Sequence, residues 1–200
     1  MEHDLEKAYA YLRDFSDLES SLENELRTNQ FIKIRSFSRK HRFTSMGSPA
    51  QYIAFLEKGY ALAYRKRADT RVVSWFRSAP SGIIPENFFT GNACQEEIVL
   101  NAGSSIVYTC RQGIGDLFRK HPKTAEFIRL IQEKHLHENE EEKMLLRGLS
   151  AREKYIHLAT TRPEIIENFS GKDIGSYLGI RPRQLYNIRK AYGKEKFRQY

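Results

Sequence analysis

The chain has 200 residues, with 33 Lys/Arg against 25 Asp/Glu, 40% apolar content, a formal charge of +8 and a sequence pI of about 9.4. That composition allows one large or two modest packed domains, suits a polyanionic partner, and excludes an extended acidic or low-complexity chain. No apolar run approaches the roughly 18 residues of a membrane-spanning helix. Cys94 and Cys110 are the only cysteines, too few for a disulfide framework.

Charge is unevenly spread. Residues 1–27 hold eight acids and three bases, whereas 31–77 hold eleven Lys/Arg and only two acids. In the first segment Leu5, Tyr9, Leu12, Phe15, Leu18 and Leu22 recur at three- and four-residue steps, which predicts one amphipathic helix or a pair of them. Glu2, Asp4 and Glu6 exclude the basic start of an export signal. The expected setting is therefore a reducing cytoplasm, with both cysteines as core residues and no membrane partner.

From Phe31 the period drops to two. Segments beginning at Phe31, Gln51, Tyr60, Arg71, Glu97 and Ser105 are short strand candidates separated by Gly, Pro, Asn and Ser. Their rhythm predicts an antiparallel barrel or sandwich of roughly 80 residues. Helical character returns at Ile114–Lys120. From Thr124 to about Leu146 there is no Pro or Gly, so one long helix is expected, with Phe127, Leu130, Ile131, Met144 and Leu145 as its apolar stripe. Gly148 ends it. Ser150 with Glu153 three residues on reads as a capping box opening a further helix, whose buried face is Tyr155, Ile156, Leu158 and Ala159.

The most informative stretch is Lys172–Lys190. Ile174 and Leu178 fall on one face of a first helix, and Leu185 and Ile188 on one face of a second. Gly179 supplies a left-handed helix end, Gly175 permits a close helix crossing, and Pro182 suits a first helical turn. Such a pair with a tight glycine turn is the hairpin whose second helix enters the DNA major groove. The outward positions of the second helix are Arg181, Arg183, Gln184, Tyr186, Asn187 and Arg189, side chains that hydrogen-bond base edges and phosphates. Residues 171–200 carry eight Lys/Arg against Asp173 and Glu195. From this spacing Arg183 and Asn187 are expected to contact bases, flanked by Gln184 and Tyr186. Lys172, Arg181, Arg189 and Lys190 are expected to contact phosphates.

Helix, β-roll, long helix and helix-turn-helix, in that order, resemble the bacterial cyclic-AMP receptor and fumarate-nitrate regulator (CRP/FNR) family. The likeness is carried by Ser170–Ile180 with Leu185–Lys190, by Leu149–Tyr155, and by Phe55–Tyr64, read as a β-roll hairpin with Gly59 at its turn. It implies an α+β fold. The parts would be a β-roll (a cyclic-nucleotide-binding-like jelly roll) with flanking helices over 1–122, a dimerisation helix over 123–148, and a helix-turn-helix, winged-helix-like unit over 149–200. With ten residues after Lys190, the wing is expected to be short or absent. The resemblance also implies a homodimeric transcription regulator that binds double-stranded DNA, senses a small-molecule effector and engages RNA polymerase.

Two departures bear on chemistry. Family members that bind cyclic nucleotides place a Gly-Glu pair and an Arg-Ser/Thr-Ala triplet around the phosphate. Here the region keeps Glu86 but has Glu96 and Glu97 where the arginine should lie, so cyclic AMP is not the expected effector. The reading helix has Pro182-Arg183 and Asn187 where the family often has Arg-Glu and a later Arg, which predicts a different target sequence. The effector, if there is one, is expected inside the roll near Tyr60, Trp75, Phe76, Glu86 and Phe88. Two cysteines cannot hold an iron–sulfur cluster, lone histidines such as His41 and His121 are more often structural than haem ligands, and no cofactor or metal is called for.

An enzyme is disfavoured because no catalytic motif is present: His135 and His137 fall on a helix, where i and i+2 do not share a face. The alternative is a ligand-sensing or protein-interaction module whose helix-turn-helix does not bind DNA specifically. Exposure of Arg183, Gln184 and Asn187 separates the two readings.

Overall fold

The structure, a computed structural model, describes residues 2–197 and the side chains of 5–193. The amphipathic N-terminal segment forms a pair of helices, α1 (Glu2–Arg13) and α2 (Ser20–Thr28). Eight strands follow: β1 (Lys33–Phe37), β2 (His41–Arg42), β3 (Tyr52–Lys58), β4 (Tyr60–Arg67), β5 (Thr70–Ser78), β6 (Ser81–Ile83), β7 (Glu96–Leu100) and β8 (Ser104–Cys110). They make two four-stranded antiparallel sheets, ordered β1-β8-β3-β6 and β2-β7-β4-β5. The inner faces pack together around Leu56, Ala61, Ala63, Ile98, Leu100 and Ile106.

Alternation along the strands decides what each outer face meets. In the first sheet Ala54 and Leu56 point inward, while Ile53 and Phe55 point out beneath the N-terminal helices and α3 (Arg111–Lys120). In the second sheet Ala61 and Ala63 point inward, while Tyr60, Leu62 and Tyr64 point out toward the C-terminal helices. Both sheets are therefore covered on both sides.

Gly59 does not turn a hairpin. It lies at a corner where the chain leaves the first sheet for the second, since β3 pairs with β6 and β8 whereas β4 pairs with β5 and β7. Its φ is +89°, and a Cβ there would come 2.4 Å from Ser104 Oγ, so only glycine fits the crossing. The hairpin is β4–β5, closed by Ala68-Asp69. The short strands β2 and β6 carry too little alternation to be anticipated.

The long helix α4 spans Lys123–Gly148. Thr124, Phe127 and Ile131 bury its first half against the roll. Its second half leaves Leu136 (63%), Met144 (70%) and Leu145 (44%) exposed, an unusual display of large apolar side chains. Ser150 then caps α5 (Ala151–Thr161) through the predicted box with Glu153. An unanticipated short helix, α6 (Pro163–Asn168), precedes the hairpin of α7 (Gly171–Leu178) and α8 (Pro182–Phe197). α8 extends seven residues past Lys190, and the described residues contain no wing.

Candidate nucleic-acid interface and effector cavity

The α7–α8 hairpin forms as its sequence dictates. Ser170 Oγ accepts from the Asp173 amide at 3.1 Å and caps α7. Gly179 ends that helix in the left-handed region at φ +67°. The Ile180 amide then reaches back to the Gly175 carbonyl at 2.8 Å. A Cβ on Gly175 would lie 2.9 Å from the Ile180 carbonyl oxygen and 3.3 Å from Leu185 Cδ2, so the bare glycine is what lets α8 cross this closely. Ile174, Leu178, Ile180 and Leu185 are buried together with Tyr155, Leu158 and Ile165 of the preceding helices.

Fixing that apolar seam fixes what α8 turns outward. Arg181, Arg183, Gln184, Tyr186, Asn187, Arg189 and Lys190 are all exposed, as is Lys172 on α7. None is engaged in a hydrogen bond or ion pair with another described residue. Tyr186 is 65% exposed, a large cost in apolar surface for a side chain with no internal role. Arg189 lies along the start of α7, its Nη1 3.3 Å from where a Gly171 Cβ would stand. The two helices thus present one contiguous cationic and amide-bearing surface.

The helical unit is also docked on the roll, which the sequence did not announce. A β-bulge shifts the β4–β5 register between Ala63 and Tyr64. It leaves the Val73 amide free to donate to Ser176 Oγ on α7 at 3.0 Å. The Tyr64 hydroxyl donates to Asp173 Oδ1 at 2.7 Å, and Ser170 Oγ donates to Asp173 Oδ2 at 2.6 Å. Burial, and then the Asp173 carboxylate, push Tyr64 above the usual phenol range, so it stays a donor. Ser78 Oγ donates to Glu164 at 3.1 Å, and Arg162 donates to the Phe76 carbonyl at 3.2 Å. Leu62, Val73 and Phe76 of the roll share one apolar cluster with the hairpin core. The signal was present in Tyr60-Ala-Leu-Ala-Tyr64, which is apolar on both faces and so must be covered on both.

A cavity of about 730 Å³ opens between β5, β6, α4 and α7. Its walls carry six cations, Arg65, Arg67, Arg77, Lys143, Arg147 and Lys154, against Glu86 and Glu96. At the inner end Glu96 accepts from Trp75 Nε1 at 3.1 Å and from the Glu86 amide at 3.3 Å, while Arg65 pairs with Glu86 at 2.8 Å. Burial raises the Glu96 pKa, opposed by the Trp75 hydrogen bond. Glu97, its neighbour, points the other way and pairs with Arg71. Arg77 lies 5.2 Å over the Trp75 ring and 3.8 Å from Glu138. His135 closes the wall from α4 with Nε2 3.4 Å from Ser81 Oγ. Burial, then Arg77 and Lys134, push its pKa down to about 3. Toward the helical unit Arg67, Arg147 and Lys154 make no hydrogen bond or ion pair through their side chains with described residues.

The residues expected to line an effector site do not gather. Trp75 and Glu86 face this cavity. Tyr60 and Phe76 point the opposite way, their rings 5.9 and 4.5 Å from that of Phe169 in the helical unit. Phe88 is buried against Leu22, Ala50 and Leu117. Adjacent strand residues cannot share a face, which separates Trp75 from Phe76. The missed lining comes from α4 and α5, elements whose approach to the roll has no local sequence signature. Among the described residues no group of His, Cys, Asp or Glu could hold a metal ion, and no helix is long and apolar enough to cross a membrane.

No family model and no curated protein sequence matches the chain. Solved structures do. FixK2 from Bradyrhizobium japonicum superposes with a TM-score of 0.67 at 16% identity, covering 82% of this chain and 86% of that one. The c-di-GMP responsive global regulator CLP of Xanthomonas campestris gives 0.68 at 12% identity, covering 89% and 93%. A regulator assigned to the CRP/FNR family from Eubacterium rectale gives 0.64 at 7% identity, covering 90% and 85%. At such identities the likeness is one of architecture: the chain has the fold of the CRP/FNR family of regulators.

Proposed function

We propose that the protein is a DNA-binding transcription regulator that works as a homodimer. The observation that carries this reading is the outward face of α8, polar, cationic and unengaged along its whole first half while Leu185 anchors the helix from beneath. With α8 in the major groove, Arg183 and Asn187 meet base edges, joined by Gln184 and Tyr186. Lys172, Arg181, Arg189 and Lys190 meet phosphates. Two such helices are needed to read a two-fold symmetric site, and the exposed Leu136 and Met144 of α4 supply an apolar seam for the second copy.

The effector site in this reading is the cavity between roll, α4 and α7. Its unengaged cations Arg67, Arg147 and Lys154 favour an anionic small molecule. A cyclic nucleotide bound in the family's manner is disfavoured, because the buried carboxylate of Glu96 stands at the inner end and Arg65 is already committed to Glu86. Such a ligand would touch Ser176–Gly179 on α7 as well as the roll, which gives it a route to the reading helix.

Selection of bound fragments from genomic DNA tests the proposal. Enriched fragments should share two half-sites about one helical turn apart, roughly 34 Å. Recovery of fragments without a common sequence would remove the specific-reader reading and leave the interaction-module alternative.

A further inference from the structure

A second cavity, of about 130 Å³, lies between the α1–α2 pair, the outer face of the first sheet and the first turns of α4. Its walls are apolar, including Leu5, Leu22, Leu26, Ile53, Val107 and Phe127, and no Lys, Arg, Asp, Glu or His lines it. Two hydroxyls interrupt that surface. Thr109 and Thr124 both line the cavity, are 6% and 8% exposed, and their Oγ1 atoms have no hydrogen-bond partner among the described residues.

Each is kept free by its surroundings. A threonine inside a helix commonly donates to the carbonyl four residues back, as Thr28 does to Asn24 at 2.8 Å and Thr161 to His157 at 2.8 Å. Thr124 is the second residue of α4, so its own helix has no such carbonyl to offer. Thr109 faces Gly113, where a Cβ would come 2.2 Å from its hydroxyl, and Phe31 crowds the same spot. The tyrosine hydroxyls at this site are occupied: Tyr9 donates to the Glu23 carbonyl at 3.2 Å, and Tyr11 accepts from the Gly82 amide at 3.3 Å. Buried hydroxyls are nearly always satisfied, so a pair left open in one apolar cavity marks a place for a ligand's polar group.

We propose that this cavity binds a small neutral amphiphile whose single hydroxyl or carbonyl is met by Thr109 or Thr124. Its size is set by the cavity, since an apolar space of roughly 150 Å³ holds a benzene ring. Its neutrality is set by the lining, which offers no counter-charge for an ion. Because α1, α2, β8 and α4 all contribute walls, the bound molecule ties the N-terminal helices to the base of the long helix. The site is independent of the DNA-reading surface.

The test is calorimetric titration of the full chain with benzyl alcohol, toluene and benzoate. Benzyl alcohol is expected to bind about 2- to 10-fold more tightly than toluene, the range of one net hydrogen bond, and benzoate not to bind. Thr109→Val and Thr124→Val keep the side-chain shape and remove an unpartnered hydroxyl, so both variants should fold with an unchanged or higher melting temperature. Together they should bind toluene as before and lose the preference for the alcohol. The proposal is overturned if no probe binds, if benzoate binds as tightly as benzyl alcohol, or if the double variant keeps the full preference.

Discussion

His135 makes the stability of this fold depend on pH in a way the structure quantifies. Its imidazole is packed between α4 and β6, beside Ser81, with Arg77 and Lys134 as nearby cations and Glu138 one turn further along α4. The folded pKa is about 3, against 6.5 for the free side chain. Between those values the unfolded chain binds a proton that the folded chain does not. The contribution is therefore fully present above pH 6.5 and is lost progressively as pH falls toward 3. At pH 5 the loss is about 2 kcal/mol, and it approaches about 4 kcal/mol near pH 3. Glu96, with its raised pKa, acts in the opposite sense, losing stability as pH rises through its window, so the measurement must compare proteins that both retain it. Urea unfolding of the wild type and of His135→Gln, followed by the fluorescence of the single tryptophan, Trp75, at pH 8 and pH 5, isolates the histidine. The wild type should lose about 2 kcal/mol more than the variant over that interval. Equal losses in the two proteins would refute the assignment of a buried, neutral His135.

Three further outcomes follow from geometry. Gly175→Ala places a Cβ 2.9 Å from the Ile180 carbonyl oxygen and should cost about 1–3 kcal/mol, read as a lowered melting temperature; an unchanged midpoint would mean that α8 is not held this closely. Tyr64→Phe removes the 2.7 Å donor to Asp173 and should cost about 1–3 kcal/mol, with amide exchange accelerated in α7 before the roll strands. Exchange that rises uniformly would count against a local dock. Leu136→Glu combined with Met144→Glu should leave the protomer's stability within about 0.5 kcal/mol, because both side chains are exposed. It should nevertheless convert a sedimenting dimer to monomer. A dimer that survives would place the seam elsewhere.

The hairpin was the most legible part of the chain, because its rules are local. Ser170, Gly175, Gly179, Pro182 and Leu185 each act within a few residues of themselves, and the structure finds them in the roles their spacing predicts. The capping box of Ser150 and Glu153 was legible for the same reason. Gly59 was misread because a turn residue looks alike whether the strands beside it pair or part, and only the long-range partners Ser78 and Ser105 decide. The effector residues failed for a related reason. Aromatic character at Tyr60, Phe76 and Phe88 signals burial but not which of three clusters does the burying. The docking of α7 on β5 depends on a bulge and on two hydrogen bonds across more than a hundred residues of sequence, which no local pattern encodes.

The central claim is that the outward face of α8 binds DNA through named cations. It is tested most directly by the salt dependence of affinity for a selected fragment, measured for the wild type and for Arg189→Ala. Loss of one phosphate contact should weaken binding to every sequence and reduce the slope of log K against log salt by about 0.9. An unchanged slope together with unchanged affinity would contradict the account.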